Sequence, residues 1–108
     1  MSYTPVAKTN EIPVGQMKVC QVGGIRLAIC NVAGEFFAIE DLCTHDDGPL
    51  GEGALVNDVV ECPRHGAKFC VKTGEVKRMP AITPIKTFPV QVKNGDISVS
   101  IENSGTEG

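Results

Sequence analysis

Two short segments of this 108-residue chain carry side chains that bind soft metals: Cys43-Thr-His45 and Cys62-Pro-Arg-His65. Sixteen residues separate the segments, and together they hold both histidines of the sequence. Two thiolates and two imidazoles are enough for one tetrahedral zinc or for an iron–sulfur cluster. Zinc knuckles usually pair like with like, two cysteines on one loop and two histidines on a helix. Here each segment offers one of each, which suits two bridged metals that take one ligand apiece from each loop. Two other readings compete. A zinc-stabilised interaction module would use the same four side chains, and a nucleophilic cysteine–histidine pair would leave the second pair unexplained.

The rest of the chain must hold these loops face to face, and its texture is that of strands. Tyr3 to Lys8 reads as an edge strand, and Asn10 to Gly15 as a turn. Met17 to Val22 leads through Gly23-Gly24 into Ile25 to Val32, and Ala33-Gly34-Glu35 leads into Phe36 to Glu40. Between Leu42 and Pro80, glycines and prolines leave room only for short strands, such as Leu55 to Glu61 and Phe69 to Lys72. Loops that carry function on a rigid scaffold have this character. Ile85 to Lys93 alternates, Asn94-Gly95 signals a hairpin, and Asp96 to Ile101 alternates again. The polar tail from Glu102 to Gly108 is expected to fray. No helical period stands out. The expected fold class is all-β, an antiparallel sandwich or barrel with an inserted loop-rich subdomain. Gly51-Glu52-Gly53 lacks the third glycine and the following helix of a dinucleotide loop.

Composition narrows the function. One domain is expected from the length, and 42% hydrophobic with 21% charged residues describes a globular chain. No apolar run reaches the ~20 residues of a membrane span, and the N-terminal residues lack the apolar core of a signal peptide. These features predict a soluble, cytoplasmic protein. Five cysteines, an odd number, argue against a complete disulfide framework. Cys20, Cys30 and Cys70 sit in strand-like runs and read as small core residues rather than ligands. A net charge of −3 gives no basic face for nucleic acid, and a mildly acidic surface favours basic patches on partner proteins.

The pattern C-x-H, sixteen residues, then C-x-x-H followed by Gly66 resembles the Rieske family across residues 3–101. That resemblance implies one Rieske [2Fe–2S] cluster per chain, with Cys43 and Cys62 on the inner iron and His45 and His65 on the outer one. It implies a single domain over 1–108, with a base subdomain from 1–42 and 81–108 and a cluster-binding subdomain from 43–80. Pro80, in Met79-Pro80-Ala81, matches the family's third loop over the cluster. The second segment, CPRHGAKFCVKTGEV, is similar to the small Rieske ferredoxins of bacterial multicomponent dioxygenases. The resemblance implies a monomeric one-electron carrier rather than an enzyme. A flavin-containing, NAD(P)H-dependent reductase would load it and a terminal ring-hydroxylating oxygenase would unload it. Asp46, Asp47, Pro49, Arg64 and Lys68 would shape docking. A Rieske ferredoxin serving another oxidoreductase pathway is the alternative.

Quinol-oxidising relatives resemble C-T-H-x-G-C and C-P-C-H-G-S-x-Y. This chain has Gly48 and Arg64 at the two disulfide positions, and Ala67 and Phe69 at the two hydroxyl positions. Fewer donors to the sulfurs disfavour the electron-rich reduced state, which places the expected midpoint at roughly −150 mV, the low end of the Rieske range. With less charge withdrawn, the ligand imidazoles should keep their outer protons above neutrality. Protein-film voltammetry should therefore return a low midpoint that is flat across pH 6–8, and a clearly positive midpoint or a steep slope there would contradict the expectation.

Overall fold

The computed structural model describes residues 3–43, 48–63, 66–79 and 83–101. Among these, β1 (Thr4–Lys8), β2 (Met17–Val22), β3 (Ile25–Val32) and β4 (Glu35–Glu40) precede the first cysteine segment. After it come β5 (Ala54–Val56), β6 (Val59–Glu61), β7 (Lys68–Cys70) and β8 (Val76–Arg78). The chain closes with β9 (Thr87–Phe88), β10 (Val90–Lys93) and β11 (Asp96–Val99). The strands form three antiparallel sheets with spatial orders β1-β11-β10, β2-β3-β4-β9 and β5-β6-β7-β8. Apart from strands, the described residues include two 3-10 turns, Thr9–Glu11 and Leu50–Glu52. Among the described residues no helix is long and apolar enough to cross a membrane.

β3 is where the layers meet. Six consecutive residues, Leu27 to Val32, are buried, because side chains on both of its faces point into apolar cores. Ala28, Cys30 and Val32 face one core with Val60, Phe69 and Val71. Leu27 and Ile29 face the other, with Phe88, Ile97 and Val99. The β2–β4 sheet is thus the middle layer, with the terminal sheet against one face and the β5–β8 sheet against the other. Arg26 stands exposed at the near end of β3.

The hairpin signals are met closely. Ala33 and Gly34 both take positive φ, 54° and 94°, and Val32 pairs directly with Glu35. This two-residue turn matches the twist of its strands, so Glu35 joins β4 instead of the turn. Three strand expectations are corrected. Leu55 to Glu61 is not one strand but the β5–β6 hairpin, turned at Asn57-Asp58, with Asn57 at φ 57°. Phe69 to Lys72 moves to Lys68–Cys70, and residues 71–73 turn so that β8, which was not expected, can pair with β7. Ile85 to Lys93 is divided at Pro89: β9 pairs with β4 and β10 with β11. Proline cannot donate to a ladder, so the chain changes sheet there. Its carbonyl still accepts the Ser100 N–H at 3.1 Å.

Asn31 locks the loop before β2 onto the middle sheet. Its Nδ2 donates to the Ile12 carbonyl at 2.7 Å, and its Oδ1 accepts the Gly34 N–H at 2.8 Å. Its backbone joins both Gly15 and Gln16. The side chain is buried, so removing it leaves the carbonyl of buried Ile12 without this partner in the interior. Asn31→Ala should cost about 2 kcal/mol of unfolding free energy in urea titration, and a loss within error of zero would contradict this role.

Candidate metal centre

Cys43 and Cys62 stand at the starts of two loops closed in the same way. The Cys43 N–H donates to the Gly48 carbonyl at 2.7 Å, and the Cys62 N–H donates to the Ala67 carbonyl at 2.8 Å. Each bond runs from a cysteine to the fifth residue after it. The second loop caps the β6–β7 hairpin, where the Gly66 N–H also returns to the Cys62 carbonyl at 3.2 Å. The first loop leaves β4, passes Cys43 and comes back through Gly48 and Pro49 to the Leu50–Glu52 turn.

Both cysteines are buried, at 0% and 1% exposure, and both belong to the apolar core that also contains Leu50, Val60, Ala67 and Phe69. A thiolate in such surroundings is costly unless a cation holds it. Two soft donors in one dry core, each on a tight backbone loop, are the thiolate half of the Cys2His2 donor set of a Rieske-type iron–sulfur cluster. The residues present therefore fit such a group. His45 and His65 lie outside the described residues, as do Asp46, Asp47, Arg64 and Pro80. Among the described residues no three of His, Cys, Asp and Glu gather into a metal site. The structure brings Cys43 and Cys62 into one core and describes neither histidine.

The two positions expected to lack hydroxyl donors are where they can matter. Ala67 supplies the carbonyl that closes the Cys62 loop, and it is fully buried, as is Phe69. Pro49 and Lys68 flank the loops half-buried. The surroundings are tight. A Cβ at Gly53 would collide with the Glu61 carbonyl, directly before Cys62. One at Gly74 would collide with the Ile85 carbonyl, whose own N–H donates to Gly74 at 3.0 Å.

The Rieske [2Fe-2S] domain family matches residues 2–89. The biphenyl 2,3-dioxygenase ferredoxin component of Rhodococcus jostii (strain RHA1) is 42% identical over 106 residues, 98% of this chain and 99% of its own length. The chain belongs to the Rieske [2Fe–2S] domain family. The ferredoxin of carbazole 1,9a-dioxygenase from Nocardioides aromaticivorans IC177 shares the fold at TM-score 0.88 and 25% identity, over 93% of this chain and 98% of that one. A chain in the complex of reduced oxygenase and oxidized ferredoxin in carbazole 1,9a-dioxygenase matches at TM-score 0.86 and 37% identity, over 91% and 92%. As a Rieske domain the protein carries a [2Fe–2S] cluster, and its all-β architecture is that of the Rieske ferredoxins.

Asp41 has no role in the sequence expectations, and Gly51 and Gly53 figure there only as an incomplete dinucleotide loop; all three pack around the cysteine loops. The available signal for the first was the acidic pair Glu40-Asp41 between the apolar Ala38-Ile39 and Leu42, just ahead of a ligand-type cysteine. The other cysteines behave as core. Cys30 is fully buried and its thiol is pushed up to about 12, first by burial and then by the charge of Asp41. Cys20 is half-buried and shifted upward, mainly by burial. Because the native fold holds the Cys30 proton more tightly than the unfolded chain, its contribution is fully present below pH 9.0 and declines as pH rises towards about 12. Mass-spectrometric mapping after iodoacetamide at pH 8 should find Cys30 unmodified in the folded holoprotein and modified in urea. Rapid labelling of Cys30 in the folded state would contradict its placement.

Proposed function

We propose that this Rieske ferredoxin is a one-electron carrier in which Cys43 and Cys62 bind the inner iron and His45 and His65 the outer iron. The observation that carries the ligand assignment is the pair of buried cysteines on equivalently closed loops, each followed in sequence by one of the chain's two histidines. The [2Fe–2S] group supplies a one-electron couple. The protein supplies two thiolates from within the core, two neutral imidazoles, and backbone loops that fix all four. A charge set lighter by two than four thiolates raises the potential above that of a four-cysteine ferredoxin. The buried methyl of Ala67 and the ring of Phe69 leave it at the low end of the Rieske range.

The electron is received from a flavin-containing, NAD(P)H-dependent reductase and delivered to a terminal ring-hydroxylating oxygenase. Support comes from relatives matched along nearly their whole length that are components of biphenyl and carbazole dioxygenases. The protein is then a carrier and not itself the oxygenase. It works as a single domain, with strands β5–β8 and the two cysteine loops as the cluster-binding part, and in the cytoplasm, where NAD(P)H is available.

Reconstitution tests the role. NADH oxidation coupled to hydroxylation of an aromatic substrate should require this ferredoxin when a cognate reductase and oxygenase are supplied. Cys43→Ser or Cys62→Ser should abolish both the coupling and the red-brown colour. A colourless protein with stoichiometric zinc would overturn the reading. A second expectation concerns the potential. In Ala67→Ser/Phe69→Tyr, hydrogen bonds worth about 1 kcal/mol more in the reduced state should raise the midpoint by roughly 40 mV. An unchanged or lower midpoint would show that these positions do not set it.

A further inference from the structure

One buried carboxylate joins the first cysteine loop to the base. Asp41 lies two residues before Cys43, and its side chain is 0% exposed. Its Oδ2 accepts from the Arg26 guanidinium at 2.9 Å, and its Oδ1 accepts the Gly51 N–H at 2.6 Å. Its own N–H donates to the Arg26 carbonyl at 2.9 Å. The loop that carries Cys43 therefore leaves from Asp41 and returns at Gly51, with both ends on the same carboxylate. The carboxylate in turn is held by the end of β3. Gly51 has no room for a side chain: a Cβ there would collide with Val19 Cγ2 of β2 and lie 3.2 Å from Asp41 Oδ1. Leu50, its neighbour, is buried in the same core as Cys43 and Cys62.

The pair is electrically lopsided. Arg26 is 56% exposed while Asp41 is wholly buried, so water screens the cation far more than the anion. A net negative field is left on the inner side. Cys30, whose thiol is pushed up by burial and then by the Asp41 charge, packs in the same apolar cluster as Cys43 and Cys62. Two residues of chain span at most about 7 Å between Cα atoms. At that order of separation, with an effective dielectric constant of about 20, one unpaired charge would change a one-electron equilibrium by roughly fifty-fold, and the Arg26 guanidinium 2.9 Å from the carboxylate offsets part of this, leaving at least a factor of several.

We propose that Asp41 is a positioning residue of the cluster site: it staples the first cysteine loop to the base through Arg26 and Gly51, and it keeps a fixed negative charge behind Cys43 that favours the oxidised cluster. The proposal rests on the assignment of Cys43 as a ligand. Reduction adds one electron, supplied by dithionite in the titration, to a site that already faces this charge.

The test uses the full-length holoprotein, with Asp41→Asn and Arg26→Met. Midpoints come from titration monitored by electron paramagnetic resonance, and the Gly51 amide is followed by hydrogen exchange. In Asp41→Asn the reduction equilibrium constant should rise threefold or more, an upward shift of about 30 mV at 59 mV per tenfold, and the Gly51 amide should exchange faster. A midpoint equal to or below that of the wild type overturns the proposal, and a merely structural residue would lower stability without moving it. If Asp41→Asn takes up no cluster, Arg26→Met decides: a lower midpoint, from a carboxylate deprived of its counterion, supports the proposal, and an unchanged or higher one overturns it. Failure of the wild type to serve a reductase and oxygenase would sink the carrier role and leave this comparison of midpoints intact.

Discussion

The burial of two thiols in one apolar core is the constraint on which the rest of this structure depends. Cys43 and Cys62 come from loops on either side of the β5–β6 hairpin, and both are packed beneath the middle sheet with Leu50, Val60, Ala67 and Phe69. A dry site strengthens every charge interaction within it. It also forbids leaving ionised sulfur without a cation. The three-layer arrangement follows from this demand. The middle sheet must be apolar on both faces, one for the terminal sheet and one for the cluster-binding sheet, and β3 meets it with six buried residues in a row.

The loops themselves need little sequence to define them, since a single backbone bond from each cysteine to the fifth residue after it closes the turn. Their placement needs more. Gly53 lets the first loop's exit lie against the Glu61 carbonyl, Gly51 lets the Leu50–Glu52 turn lie against β2, and Asp41 binds that turn to β3. None of these residues is among the four proposed ligands. Together they fix where the exit of the first loop lies against β2, β3 and the residue before Cys62.

Much of this was legible before any coordinates. Spacing identified the cysteine–histidine segments, and paired turn residues such as Gly23-Gly24 and Asn94-Gly95 located hairpins, because few residues other than glycine and asparagine accept positive φ. What was not legible depended on tertiary partners. Leu55 to Glu61 reads as one strand because Asn57-Asp58 is a weaker turn signal than Asn-Gly, and the β5–β6 pairing is what selects it. Pro89 lies within an alternating run, and only the presence of two sheets shows that the chain crosses between them there. Asp41 and Arg26 are fifteen residues apart, and nothing local in the sequence announces that they meet.

The central claim is that one imidazole from each loop, with one thiolate from each, binds a single [2Fe–2S] cluster. Because His45 and His65 are the only histidines, labelling histidine with nitrogen-15 labels the proposed outer ligands and no other imidazole. Pulsed electron–nuclear resonance on the dithionite-reduced holoprotein tests the claim most directly. Two strongly coupled histidine nitrogens are predicted, with one lost in His45→Cys and the other in His65→Cys. A reduced cluster showing no histidine nitrogen coupling would contradict the account.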